Sequence, residues 1–184
     1  EREESMAFEI TSWSIREFHG KKTEDNALEL SPDIQRNEVW STKKKVLLID
    51  SIARQVPIGA ITLYLQPHSS NGNKKYDVID GKQRLTTILA YMANEFDVDQ
   101  DIVESEDEYV AAINKELAED FFDKTYDTLA DSALSRFKNY EIPVFILEGE
   151  KEVAVQTFTR MNKDSAALTS QEIRNAIFWD SNML

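Results

Sequence analysis

The chain has no cysteine among its 184 residues. That excludes disulfides, Cys-ligated zinc and a cysteine nucleophile, and it fits a reducing cytoplasm. Only two histidines occur, His19 and His68, in unrelated contexts. A His-based metal centre or a Ser-His-Asp triad has little to build from. No apolar run approaches the ~18 residues that a spanning helix needs, so no membrane partner is expected. The GxxxxGK(S/T) spacing of a Walker phosphate loop is absent. No internal repeat and no secretory signal is visible. The chain begins at Glu1 rather than Met and is expected to be a piece of a longer protein.

Positive charge is also scarce. Lys and Arg total 21 against 34 Asp and Glu, for a net charge of -13. That opposes a general nucleic-acid-binding surface. The imbalance is local, however. Residues 94–131 hold 14 acids and two bases (Lys115 and Lys124), a net of -12, which leaves the remainder at -1. A basic site can therefore exist outside that stretch. Within the stretch there is no glycine, so an EF-hand calcium loop is excluded. Its plain reading is a solvated excursion.

What is present is enough apolar material, 41% of residues, for a real core. Ser14 is a candidate N-cap for a short helix over 14–18, and GKKTEDN reads as loop. Ala27–Leu30 is a strand candidate stopped by Ser31-Pro32. Ser41–Arg54 reads as a helix, with Val46, Leu47, Ile49 and Ile52 on its apolar face and Lys43, Lys44, Lys45 and Asp50 outside it. Ile61–Leu65 and Tyr76–Ile79 read as a hairpin around the turn-rich PHSSNGNKK. Leu85–Met92 is a helix, and Glu106–Leu117 is expected to be one. Tyr140–Leu147 is a strand in which Pro143 signals an edge or a bulge. Glu150–Met161 and a segment starting at Ser170 complete the helices. Trp13 and Trp40 read as core or sheet-edge residues. The fold class is α+β, a small mixed β-sheet with flanking helices.

Three polar clusters carry chemistry. The first is Asp80-Gly81-Lys82-Gln83-Arg84, where a strand hands over to a helix. A helix N-terminus has unpaired N–H groups and a partial positive charge. Gly81 permits close backbone approach, and Lys82 and Arg84 add cationic donors. Together they describe a phosphate site. Asp80 is suited to cap the helix, to hold Arg84 or to ligate Mg2+. Taken alone, the pentapeptide also reads as a capped helix with solvated bases. The second cluster is Gln35-Arg36, ahead of Val39-Trp40. The third is Phe158-Thr-Arg160-Met-Asn162 at a helix end, where Asn162 also suits a left-handed C-cap. Lys43–Lys45 reads as the wet face of its helix.

The ordered set QR (35–36) with Trp40, LIDSI (48–52), Pro57-Ile58, VIDGKQRLTT (78–87), FTRMN (158–162) and LTSQEIRNA (168–176) resembles the N-terminal domain of GmrSD-type restriction endonucleases. That family's pattern reads roughly QR-x-x-W, LIdSI, PIP, viDGqQRltTl, F-x-R-l-N and L-t-x-x-E-l-R-n-A. The resemblance covers residues 14–178. It implies a single ParB/sulfiredoxin-like, NTP-binding domain over residues 1–184, with an acidic, mostly helical insertion at about 94–131 and an effector domain outside the chain. It implies binding and hydrolysis of a nucleoside triphosphate with Mg2+, coupled to an HNH-type nuclease domain or subunit. The setting it implies is bacterial anti-phage defence against modified DNA, with DNA contacted through the full-length protein. Carried over by matching position, the catalytic residues are Asp80, Gln83 and Arg84, with Asp80 as metal ligand. The nucleotide-binding residues are Gln35, Arg36, Gly81, Lys82, Arg160 and Asn162. Lys82 departs from the family's usual Gln. Sulfiredoxin chemistry is excluded for want of a cysteine.

Two other functions compete. Asp80-Gly-Lys82 mimics the D-x-K element of a metal-dependent nuclease, with Asp77 or Asp50 as second acid. A non-enzymatic DNA or partner adaptor is the other, through Lys43–Lys45 or the basic motif residues.

Overall fold

Ser14 ends the first strand and starts the first helix. The computed structural model describes residues 7–30, 40–67, 74–105 and 112–164, without the side chains of 161–164. Strand β1 (Ala7–Ser14) passes directly into α1 (Ile15–Thr23). The Ser14 hydroxyl accepts from the Glu17 N–H, and the Glu17 carboxylate accepts from the Ser14 N–H. This capping box fixes the corner, as Ser14 suggests in sequence. Gly20–Thr23 continue the helix instead of forming a loop.

The other elements are β2 (Leu28–Glu29), α2 (Thr42–Ala53), β3 (Ile61–Leu65), β4 (Tyr76–Asp80), α3 (Lys82–Met92), α4 (Gln100–Glu104), α5 (Lys115–Glu119), α6 (Asp131–Lys138), β5 (Glu141–Glu148) and α7 (Lys151–Asp164). A 3-10 turn spans Tyr126–Thr128. The sheet order is β1-β5-β3-β4-β2. β5 runs antiparallel to β1 and parallel to β3, β3 and β4 form the expected antiparallel hairpin, and β2 lies parallel to β4. The fold is α+β with a five-stranded mixed sheet.

Pro143 sits in an interior strand, not at the sheet edge, and the β1–β5 register passes it without a shift. The reason is local: pairing with β3 starts only at Val144, so β5 has a single neighbour at Pro143 and one missing N–H is tolerated.

One face of the sheet carries the main core. Ile15 and Phe18 of α1, Val46, Ile49 and Ile52 of α2 and Leu85 and Ile88 of α3 belong to the same buried cluster as Ile61, Leu63, Ile142 and Val144. Trp13 is buried there too, edge-on to Phe18 and Tyr76, and Trp40 is partly buried against the cluster. Each such aliphatic or aromatic side chain contributes about 1.5–3 kcal/mol by leaving water. On the other face, Ala154, Val155 and Phe158 of α7 join Tyr64, Ile79 and Leu147.

Two expectations change here. Asp50 is not on the wet face of α2: it is buried, and its Oδ2 accepts from Arg54 Nε at 2.7 Å. α2 contacts α4, α5 and α6, and both Asp50 and Arg54 are buried. The acidic stretch is likewise no excursion. Val98, Val103 and Phe121 are part of the main core. The helix expected over 106–117 does not run through Asn114, whose φ of 45° breaks it before α5 begins. Residues 106–111 lie outside the described residues, as does the helix expected from Ser170.

Candidate functional site

β4 carries one extra residue just before the junction. Leu63 pairs with Val78, but Thr62 pairs with Asp80, so Ile79 is skipped. Such a bulge bends the strand and re-aims the next side chain, here Asp80. Gly81 follows at φ 91°, a left-handed conformation that disfavours any side chain. A Cβ at this position would also lie 2.1 Å from Ile61 Cδ1, inside the core. Gly81 is the N-cap of α3, and no side chain caps that helix. Asp80 therefore does not act as the cap, which was one of its three possible roles.

Asp80 holds Arg84 instead. Arg84 Nη2 donates to Asp80 Oδ2 at 2.8 Å, and Nη1 donates to the Ile58 carbonyl at 2.9 Å. The Asp80 side chain is 40% exposed and that of Arg84 is 16% exposed. A guanidinium has five N–H donors, so these two bonds fix its plane and leave others over. Gly59 completes the cradle. Its φ is 85°, and a Cβ there would stand 2.6 Å from Arg84 Nη1. Sequence reasoning did not single out Gly59 or the Ile58 carbonyl. One signal existed: the family pattern reads PIP where this chain reads Pro57-Ile58-Gly59, and a proline is locked near φ ~-65°.

Gln83 and Lys82 lie in the first turn of α3, both half-buried. Arg160 is exposed on α7, and among the described residues no hydrogen bond or ion pair joins it to Asp80 or Arg84. Asn162 falls on α7, with its side chain outside the described residues. Gln35 and Arg36 are outside them altogether. α7 is anchored to β4 at the far end from Asp80. Lys151 Nζ donates to Asp77 Oδ2 at 2.6 Å, and Gln66 Nε2 donates to Asp77 Oδ1 at 2.6 Å. The hydrogen bond to Asp77 pushes the Lys151 pKa up, against the opposing effect of burial. Burial pushes the Tyr64 hydroxyl up, and that hydroxyl donates to the Gly149 carbonyl.

The second acids that a D-x-K nuclease would need are both committed elsewhere, Asp50 to Arg54 and Asp77 to Lys151 and Gln66. Among the described residues no group of three or more His, Asp or Glu gathers to hold a metal. Among the same residues no helix is long and apolar enough to cross a membrane.

The family model for the GmrSD restriction endonuclease N-terminal domain matches residues 15–179. The chain belongs to that family, and is thus a domain of a restriction-type defence protein. No curated protein and no solved structure matches it.

Proposed function

Starting from that membership, we propose that the Asp80–Arg84 junction binds the phosphates of a nucleoside triphosphate with Mg2+, and that the domain hydrolyses it. Hydrolysis serves as a switch for an HNH-type nuclease module in anti-phage restriction of modified DNA, and DNA is met by the full-length protein. The observation that carries this reading is the junction itself. A strand bulge, a left-handed glycine and a helix start without a side-chain cap converge beside a fixed arginine. The N–H groups of Lys82, Gln83 and Arg84 open the helix and favour an anion.

Asp80 suits Mg2+ because Mg2+ is commonly held by one or two carboxylates plus substrate phosphates, and Asp80 is exposed enough to face a ligand. The ion would supply charge compensation for the polyphosphate. Arg84 reaches the phosphate by sharing its guanidinium with Asp80, whose side chain is the solvent-facing member of the pair. Gln83 orients a polar group of the ligand, and Lys82 adds charge where the family has Gln. Gln35, Arg36, Arg160 and Asn162 are the further nucleotide contacts in this reading.

Calorimetric titration of ATP, GTP, CTP and UTP with Mg2+ tests it. One nucleotide is expected to bind, and Arg84→Ala is expected to lower the affinity at least ~100-fold, as loss of a charged hydrogen-bonding pair does. Unchanged affinity in Arg84→Ala would sink the assignment.

A further inference from the structure

The loop from Arg54 to Gly59 joins α2 to β3 and carries the carbonyl on which Arg84 rests. Three alternate carbonyls of this loop each accept a side-chain hydrogen bond. Asn114 Nδ2 donates to Arg54 O at 2.7 Å, Tyr140 Oη donates to Val56 O at 2.6 Å, and Arg84 Nη1 donates to Ile58 O at 2.9 Å. The first donor belongs to the acidic segment and the second stands where the chain leaves α6 for β5. The contact with the segment is reciprocal: Arg54, 1% exposed, donates from Nη1 to Ile113 O at 2.7 Å. Asn114 reaches the loop because its backbone turns left-handed at φ 45°. Burial pushes the Tyr140 hydroxyl pKa up, in keeping with a hydroxyl that stays protonated and donates to the Val56 carbonyl.

We propose that Asn114 and Tyr140 are positioning residues for Arg84: through the carbonyls of Arg54 and Val56 they hold the loop whose Ile58 carbonyl fixes the guanidinium. The acidic segment is then a buttress of the site, and its docking sets where Arg84 points. The loop has little freedom to absorb a change at one carbonyl without moving the next, because only three residues, Gln55, Val56 and Pro57, separate Arg54 from Ile58. The functional consequence rests on the nucleotide reading; the coupling itself does not.

The test reads the Arg84 Nε–Hε resonance by NMR in the full 184-residue chain without nucleotide, identified by its loss in Arg84→Lys. Asn114→Gly removes the side chain while keeping the left-handed backbone affordable. Asn94→Gly is the matched control. Asn94 is also left-handed and in the same segment, but it accepts from Asp127 N–H at 2.9 Å and does not bond the loop. Tyr140→Phe deletes one hydroxyl with no change of ring. Asn114→Gly and Tyr140→Phe are each expected to shift or broaden the Arg84 resonance, and Asn94→Gly to leave it in place. A resonance unmoved in both variants, or moved equally by the control, overturns the proposal. Where MgATP binds the parent chain, Asn114→Gly weakens it about three- to tenfold. Absence of nucleotide binding to the parent ends the proposed function, yet the resonance test still decides the coupling.

Discussion

Residues 94–131 and residues 78–84 are built from opposite materials. The acidic segment has no glycine and 14 acids, and it is held by spaced apolar anchors: Val98, Val103, Ala118 and Phe121 are all buried. The junction has few anchors of its own. Its shape comes from a bulge at Ile79, a left-handed Gly81 and a guanidinium seated against Gly59. One region is fixed by burial, the other by backbone geometry. The difference predicts where mutations act. Changes at the apolar anchors of the acidic segment register first as lost stability. Changes at the junction register first as a misplaced arginine.

The largest effect is expected from Phe121→Ala. Phe121 is 0% exposed and its ring centroid lies 6.3 Å from that of Phe137. Truncation costs about 3–5 kcal/mol, the transfer term plus a cavity. Urea unfolding of the variant measures it. Lys115→Ala in the same segment should stay within about 0.5 kcal/mol, since its pair with Glu119 spans 3.9 Å between exposed side chains. Equal effects from the two would break the view that apolar anchors hold this region.

Gly81→Ala comes next. It combines a left-handed backbone with a Cβ inside the Ile61 side chain, for a loss of about 2–4 kcal/mol. The measurement that sharpens the comparison is nucleotide titration on the folded fraction. Affinity should fall further than stability implies, because the left-handed turn that opens α3 beside Arg84 is strained by any side chain. Asp80→Asn is milder still. The Asp80–Arg84 pair is partly solvent-facing, so its loss costs at most about 1 kcal/mol of stability in thermal melts. Its effect on Mg2+-dependent nucleotide binding should be the larger of the two. A variant that melts far lower yet binds as before would reverse the roles assigned to the two regions.

Much of this architecture is legible in the sequence because it is local. The Ser14 N-cap, the β3–β4 hairpin and the strand-to-helix handover at VIDGKQR depend on residues within a few positions of one another. What sequence reading misses is made by distant partners. Asp50 reads as a surface acid until α4, α5 and α6 pack on α2, although Arg54, which it pairs with, is only one helical turn away. Pro143 reads as an edge signal because nothing in sequence says where β3 begins to pair. The site divides in the same way. Asp80, Gly81 and Arg84 announce themselves as a motif, whereas Gly59 and the Ile58 carbonyl acquire meaning only when the loop folds under the guanidinium.

The smallest expected effect lies at the first corner, outside both regions, and it sets the scale against which they are judged. The Glu17 pKa lies below its ordinary value of 4.5, chiefly because the Ser14 backbone N–H donates to its carboxylate, with the Ser14 hydroxyl adding to this. A carboxyl whose folded pKa is depressed binds its proton more weakly when folded than when unfolded. Its contribution is therefore present above pH 4.5 and is lost as pH falls from there through the folded pKa. Glu17→Gln keeps an acceptor for the Ser14 N–H but removes the charge, so thermal melts should lose part of their decline below pH 4.5 while changing little at neutral pH. The group is solvent-exposed, so the shift in melting temperature should be small. A large change at pH 7 would mean that the corner bears more of the β1–α1 geometry than a surface capping box can.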